Sequence, residues 1–95
     1  MTALEVEVES GDVGFDARRL ERVGTHLNKY VDEGLLPGVN MLVSRDGRIV
    51  YRHMYGARDM ERSLPVEADT IYRFYSMTKP ITSIAIMQLY EQGLF

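Results

Sequence analysis

No cysteine occurs in this 95-residue chain, which excludes a disulfide framework and thiolate chemistry. Positive charge is not in excess either. Eleven Lys and Arg face fourteen Asp and Glu, a net charge of −3 with a pI near 5.3, which argues against nucleic acid or an anionic membrane as partner. No apolar run approaches the roughly 18 residues of a membrane span. The opening MTALEVEVESGDVG is acidic and has no apolar core, so it does not read as a secretory signal; the expectation is a cytoplasmic protein. Metal-ligand clusters, phosphate loops, nucleotide motifs, internal repeats and low-complexity segments are likewise missing, and no cofactor or metal is expected. What remains is an ordinary globular composition, 45% hydrophobic and 26% charged, with six methionines that suit core or pocket filling.

Residues 1–15 read as an N-terminal tail. Leu4, Val6 and Val8 alternate with Glu5, Glu7 and Glu9 as in an edge strand, but three glutamates on one face beside Gly11 and Gly14 favour a loose segment. Asp16 then looks like a helix N-cap, with Phe15 and Leu20 placed for a hydrophobic staple. Leu20, Val23, Leu27, Tyr30 and Val31 mark a buried stripe, and Gly34 a left-handed terminus. Gly24 in mid-helix costs about 1 kcal/mol relative to alanine, a sign of close packing on a sheet. His26 on this helix reads as a surface residue.

After Pro37-Gly38, the runs Val39–Ser44 and Arg48–Tyr55 flank Asp46-Gly47, a strong two-residue hairpin signal. Val39, Met41 and Val43 should share one face, with Asn40, Leu42 and Ser44 on the other. In the second run Ile49, Tyr51 and His53 oppose Val50, Arg52 and Met54. Both faces are partly apolar, which suits an antiparallel sheet with helices against it. His53 has no partner at ligand spacing. Gly56 to Thr70 is polar and turn-rich and reads as a loop in which Arg58, Asp59, Glu61 and Arg62 are solvated.

The chemistry concentrates in YRFYSMTKPITSIAIMQLYEQGLF, Tyr72 to Phe95. Ser76 and Lys79 stand one turn apart at the start of an apolar helix expected over 76–92, so both lie on one face. A serine hydroxyl needs a base within hydrogen-bond reach, and a lysine beside it serves once its ammonium is disfavoured by burial or by a helix N-terminus. The same N-terminus favours an oxyanion, with the Ser76 N–H as first donor. By itself the pair fits a structural role more readily: Ser76 as a cap, Lys79 as an exposed first-turn lysine. A Ser-x-x-Lys pattern arises by chance in about one in three chains of this length. Pro80 is a local conflict. With Ser76 as N-cap it would be the fourth helical residue and would forfeit an intrahelical bond, so a distorted first turn or a start nearer Pro80 is expected.

The flanks add to the pair. Pro65, Asp69-Thr70, the aromatic run Ile71-Tyr72-Arg73-Phe74-Tyr75, then Thr78, Pro80 and a long apolar helix resemble the nucleophile region of the class C β-lactamase-like serine hydrolases. That superfamily also holds family VIII carboxylesterases, DD-peptidases and some D-aminopeptidases. Ser76-Met77-Thr78-Lys79-Pro80-Ile81-Thr82 is most similar to the esterase branch. The resemblance covers roughly residues 16–95 and is specific over 65–93. It implies an α+β fold of the β-lactamase/transpeptidase type, an antiparallel sheet with flanking helices plus a helical subdomain. Ser76 would be the acylated nucleophile and Lys79 the general base. It also implies a proton-relay tyrosine in a Tyr-x-Asn motif and a late strand that supplies a second oxyanion donor. None of Tyr30, Tyr51, Tyr55, Tyr72, Tyr75 or Tyr90 has asparagine two residues on, and the late strand is missing.

The expectation is therefore an N-terminal tail over 1–15 and, over 16–95, part of a serine hydrolase domain: helix, hairpin and nucleophile helix. Relatives of the family run to several hundred residues. The helix that carries Ile81, Ile84, Ala85, Ile86, Met87 and Leu89 is apolar on most of its circumference and expects cover on every side. The remainder of the enzyme or a second chain is the expected partner, and the isolated 95 residues are expected to be neither well folded nor active. The leading substrate is a small carboxylic ester, ahead of β-lactams and D-amino-acid peptides, because the last two call for a secreted enzyme. The alternative of another class is an inert fragment that associates with a second chain through its sheet edge and apolar helix.

Overall fold

A computed structural model describes residues 4–95. Helix α1 (Ala17–Asp32) precedes an antiparallel sheet of β1 (Gly38–Arg45), β2 (Arg48–Asp59) and the short β3 (Leu64–Pro65), in the order β1-β2-β3. Helix α2 (Thr78–Glu91) follows, entered through a 3₁₀ turn at Tyr75–Met77. The architecture is α+β, as the resemblance implied.

Helix α1 is bounded by its sequence. Asp16 caps it, its carboxylate accepting from the N–H groups of Arg18 (2.9 Å) and Arg19 (3.3 Å). At the other end Gly34 takes φ +78°. The Leu35 N–H reaches the Tyr30 carbonyl (2.9 Å) and the Gly34 N–H the Val31 carbonyl (3.0 Å), which is a complete Schellman ending. Helix α2 stops in the same way at Gly93, with the Leu94 N–H on the Leu89 carbonyl and the Gly93 N–H on the Tyr90 carbonyl. The hairpin turns at Asp46 (φ +53°) and Gly47 (φ +73°); two left-handed residues in succession match the twist of the strands they join.

One residue of β2 decides which side chains meet α1. Val43 pairs with Tyr51 and Ser44 with Ile49, which leaves Val50 as the extra residue of a β-bulge. Tyr51, His53 and Tyr55 therefore share the α1 face with Val39, Met41 and Val43, their register partners. The bulge exchanges the two residues before them. Val50 joins the core with Leu20 and Val13, while Ile49 goes with Ser44 to the far face. Strict alternation had put Ile49 with Tyr51, and an extra residue is what alternation cannot show.

The helix meets the strand along three matched rungs. Gly24, Asn28 and Asp32 are four apart, about 6 Å per step on a helix. Tyr51, His53 and Tyr55 are two apart, about 6.7 Å per step on a strand. Gly24 lies against Tyr51 and His53: a Cβ there would overlap the Tyr51 hydroxyl and stand 2.9 Å from His53 Nδ1. His53 Nε2 bonds Asn28 Oδ1 at 2.7 Å, and the Tyr55 hydroxyl donates to Asp32 Oδ1 at 2.7 Å. The three rings stack nearly parallel, His53 between the tyrosines. This corrects the expected stripe. Gly24 and Asn28 face the sheet, while Val23 and Tyr30 are exposed, because the matched contacts are polar or backbone and a hydrophobic period does not register them.

Two further expectations are revised. Residues 4–15 are docked, not loose: the Glu7 N–H donates to the Ile49 carbonyl (2.9 Å), Val8 packs on the core, and Val13 within the 3₁₀ turn Ser10–Val13 is buried. Phe15 packs on the same cluster as Leu20, with the Arg45 guanidinium 5.2 Å above its ring. The stretch read as a loop from Gly56 holds the end of β2 and all of β3. Asp59, whose carboxylate accepts from the Arg62 N–H (3.1 Å), turns the chain back. Polar composition hid this pairing because backbone bonds alone make it.

Gly24→Ala would ordinarily stabilise a helix interior. Here the added methyl overlaps Tyr51, so the substitution should lower stability by about 1–3 kcal/mol, read as a lower denaturation midpoint at unchanged m-value. A second outcome concerns pH. The hydrogen bond to Asp32, and then its negative charge, hold the Tyr55 phenol above its ordinary value. A raised folded-state pKa means that the bond's contribution is complete below the unfolded value near 10 and is lost as pH rises through the folded one. Asp32→Ala should bring the Tyr55 titration back toward 10 in an ultraviolet titration.

Candidate active site

Ser76 and Lys79 are delivered by an arm anchored at one end. Val66, buried at the end of β3, starts it, and the Val66 N–H donates to the Gly56 carbonyl (3.0 Å). A side-chain turn follows. The Glu67 N–H donates to Thr70 Oγ1 (2.8 Å) and the Thr70 N–H returns to the Glu67 carbonyl (3.2 Å). The Asp69-Thr70 pair is thus part of a fixed corner. Beyond it Ile71 is 94% exposed and the chain runs without regular structure to Phe74. Partial burial pushes the Tyr72 phenol above its ordinary value.

The serine lies outside α2. Ser76 is the middle residue of the 3₁₀ turn Tyr75–Met77, and Met77 is the helix N-cap, with no side-chain cap bond. The helix expected over 76–92 is α2 over Thr78–Glu91. This relieves the conflict at Pro80. It becomes the third helical residue, one of the four first positions whose N–H has no intrahelical partner, so a missing donor costs nothing there. The turn closes instead with the Met77 N–H on the Phe74 carbonyl at 3.0 Å. Lys79 is the second residue of α2, three residues after Ser76. Both are exposed.

Tyr75, immediately before the serine, has φ +49°. A bulky residue in the left-handed region is a true outlier, costing on the order of 1–2 kcal/mol. Three consecutive residues thus combine backbone strain, a hydroxyl and the approach to a helix N-terminus, with a lysine one turn on. Among the residues, only the difficulty at Pro80 pointed to this strain.

The cover expected for α2 is not supplied by residues 4–95. Every residue of α2 is exposed, with Ile81 at 60% and Ile84 at 62%. The Cα radius of gyration is 17.0 Å, against about 12 Å for a compact chain of this length, because the arm and α2 stand off the sheet. A recess of about 590 Å³ beside the arm, lined by Gly38, Ala57, Asp59, Thr70, Tyr72 and Arg73 among others, reaches neither Ser76 nor Lys79. His53 is committed to Asn28 and His26 is exposed beside Tyr30, so neither histidine is placed with Ser76. Among the described residues no group of three or more His, Asp or Glu could hold a metal ion. No helix of the described residues is long and apolar enough to cross a membrane.

Residues 23–95 match the family model described as Beta-lactamase. Esterase EstB of Burkholderia gladioli is 36% identical over 95 residues, which is 98% of this chain and 24% of that protein. The human mitochondrial serine beta-lactamase-like protein LACTB is 34% identical over 77 residues, 81% of this chain and 14% of its own length. Protein Rv1367c of Mycobacterium tuberculosis is 34% identical over 67 residues, 70% of this chain and 17% of that protein. The chain spans a quarter or less of these relatives.

The strain at Tyr75 yields a test within the complete protein. Tyr75→Val places a β-branched residue where φ is positive and should slow reaction of Ser76 with a fluorophosphonate at least tenfold. Tyr75→Gly, which adopts that φ freely, should stay within about threefold of the parent, since the strain is then relieved without moving the turn. Equal rates for the two variants would show that the backbone at Tyr75 does not set the serine.

Proposed function

The chain belongs to the beta-lactamase family, and on that premise we propose that it carries the nucleophile and base of a serine hydrolase acting on small carboxylic esters. The observation that carries this reading is the junction itself. Ser76 sits in a strained turn at the mouth of α2, and Lys79 follows three residues on in the first turn of that helix. Likeness to an esterase along nearly the whole chain supports esters over β-lactams as first substrate.

The chemistry follows from the groups present. The Ser76 hydroxyl attacks the ester carbonyl carbon as its proton passes to neutral Lys79. Negative charge gathers on the carbonyl oxygen, where the Ser76 N–H and the N-terminus of α2 favour it. Collapse breaks the bond to the leaving alcohol, which takes the proton from Lys79. Water then adds to the acyl-serine, passing a proton to Lys79, and collapse breaks the bond to Ser76 Oγ, which takes that proton back as the carboxylic acid leaves. Lys79 must be neutral for this, and residues 4–95 leave it exposed. In this reading the burial it needs, the relay tyrosine and the second oxyanion donor come from further chain, for which the length of the relatives leaves room. Loss of one oxyanion donor alone costs about 10²–10³ in rate, so the 95 residues by themselves should turn over little.

The exposed apolar circumference of α2 supports a second reading, in which the chain is inert alone and associates with another. Activity of the complete protein separates the two. Mapped by peptide mass, a fluorophosphonate adduct should sit on Ser76 and vanish in Ser76→Ala. Lys79→Arg keeps the charge but cannot deprotonate, and should lower kcat by at least about 10²-fold. A larger kcat/KM for a chromogenic cephalosporin than for p-nitrophenyl butyrate would reverse the substrate ranking. Labelling at another residue would remove Ser76 from the role.

A further inference from the structure

Arg52 lies in mid-β2 on the face away from α1, where α1 contributes nothing. Its guanidinium forks between two distant segments. Nη1 donates to the Leu4 carbonyl at 2.9 Å and Nη2 to the Ala68 carbonyl at 3.3 Å. The side chain is half-buried, and Nε is buried without a partner. A cation held under cover by two carbonyls, with a donor left over, carries a desolvation cost that an apolar residue at this place would not. What it gains is a connection.

Ala68 belongs to the Glu67–Thr70 corner from which the arm departs. Among the described residues, the N–H groups of 71–76 make no hydrogen bond to α1 or the sheet. The corner is thus the last point before Ser76 that a hydrogen bond ties to the sheet. Leu4 belongs to the N-terminal segment, held along β2 by the Glu7 N–H on the Ile49 carbonyl and by the Ile49 N–H on Glu7 Oε2 at 3.3 Å. We propose that Arg52 is a positioning residue for the nucleophile, tying the N-terminal segment to the corner that aims the arm carrying Ser76. The inference rests on the reading of Ser76 given above. Lysine cannot substitute: one ammonium on a flexible stem does not hold two carbonyls in divergent directions, whereas the planar fork does.

The test uses the complete protein with Arg52→Gln, Arg52→Lys and deletion of residues 4–9. Fluorophosphonate titration counts competent serines, so that kcat is expressed per reactive site and poor folding is divided out. Misplacement of a reacting group by about 1 Å costs on the order of 10²-fold. Both Arg52 variants should therefore lose at least tenfold in kcat per site at nearly unchanged KM for p-nitrophenyl butyrate. The deletion should lose a similar factor, and combining it with Arg52→Gln should add little, since both cut the same tie. Unchanged kcat per site in Arg52→Lys, or losses that multiply in the combination, would overturn the inference. Should the parent fail to label at Ser76, the functional reading falls separately. Amide exchange over 69–75 then decides the tie: faster exchange in Arg52→Lys supports it, and equal exchange overturns it.

Discussion

The fold hangs on the match in pitch between one helix and one strand. Four residues of α1 and two of β2 advance by nearly the same distance, so contacts at Gly24, Asn28 and Asp32 repeat in step with Tyr51, His53 and Tyr55. The match holds over the three rungs to Asp32, where α1 ends. It needs a residue without a side chain at the first rung, where Tyr51 comes too close for a methyl. It also needs the bulge at Val50, which brings Val50 and Tyr51 to the same side. Each of these side chains is ordinary. Their spacing makes them a seam.

The seam fixes the two faces of β2. One face is occupied by α1; on the other, Arg52 reaches the Leu4 carbonyl and the corner at Glu67–Thr70. The arm to Ser76 departs from that second face. A small sheet can thus present a strained turn well away from its own core, at the cost of leaving the turn and α2 uncovered among residues 4–95. The contrast between the helices fits this division. Helix α1 is strongly two-sided and has its sheet, whereas α2 is apolar around its circumference and has only the 3₁₀ turn beside it.

Much of this was legible in the residues. Asp16 and Gly34 bounded α1, Asp46-Gly47 closed the hairpin, Gly24 announced a close approach, and Ser76 with Lys79 fell at a helix start. These are local signals, each carried by the conformational or hydrogen-bonding demand of one or two residues. What stayed hidden was non-local. The sequence could not show that Val50 is extra, because a bulge is defined by the strand opposite. Nor could it place Val23 and Tyr30 outside the seam, since an apolar period does not distinguish a sheet-facing flank from a solvent-facing one when the sheet-facing contacts are a glycine and an asparagine. The docking of residues 4–15 and the pairing of β3 depend on backbone bonds, to which side-chain composition is blind.

The entry into α2 shows how the local and the non-local combine. Proline three residues into a helix that began at Thr78 is harmless, whereas the same proline in a helix capped by Ser76 would strip a bond from the first turn. Pro80 therefore favours a helix that begins after the serine. The residues before it close their own turn by the tighter 3₁₀ pattern, and Tyr75 takes the left-handed conformation between Phe74 and Ser76. The separation of Ser76 from α2 thus follows from one constraint, the proline at position 80. In the reading proposed for the site, that constraint has a chemical use. A serine within α2 would lie along the flank of the first turn. A serine just ahead of it stands nearer the free N–H groups and the positive end of the helix, where charge developing on a carbonyl oxygen is best met, with Lys79 in the first helical turn behind it.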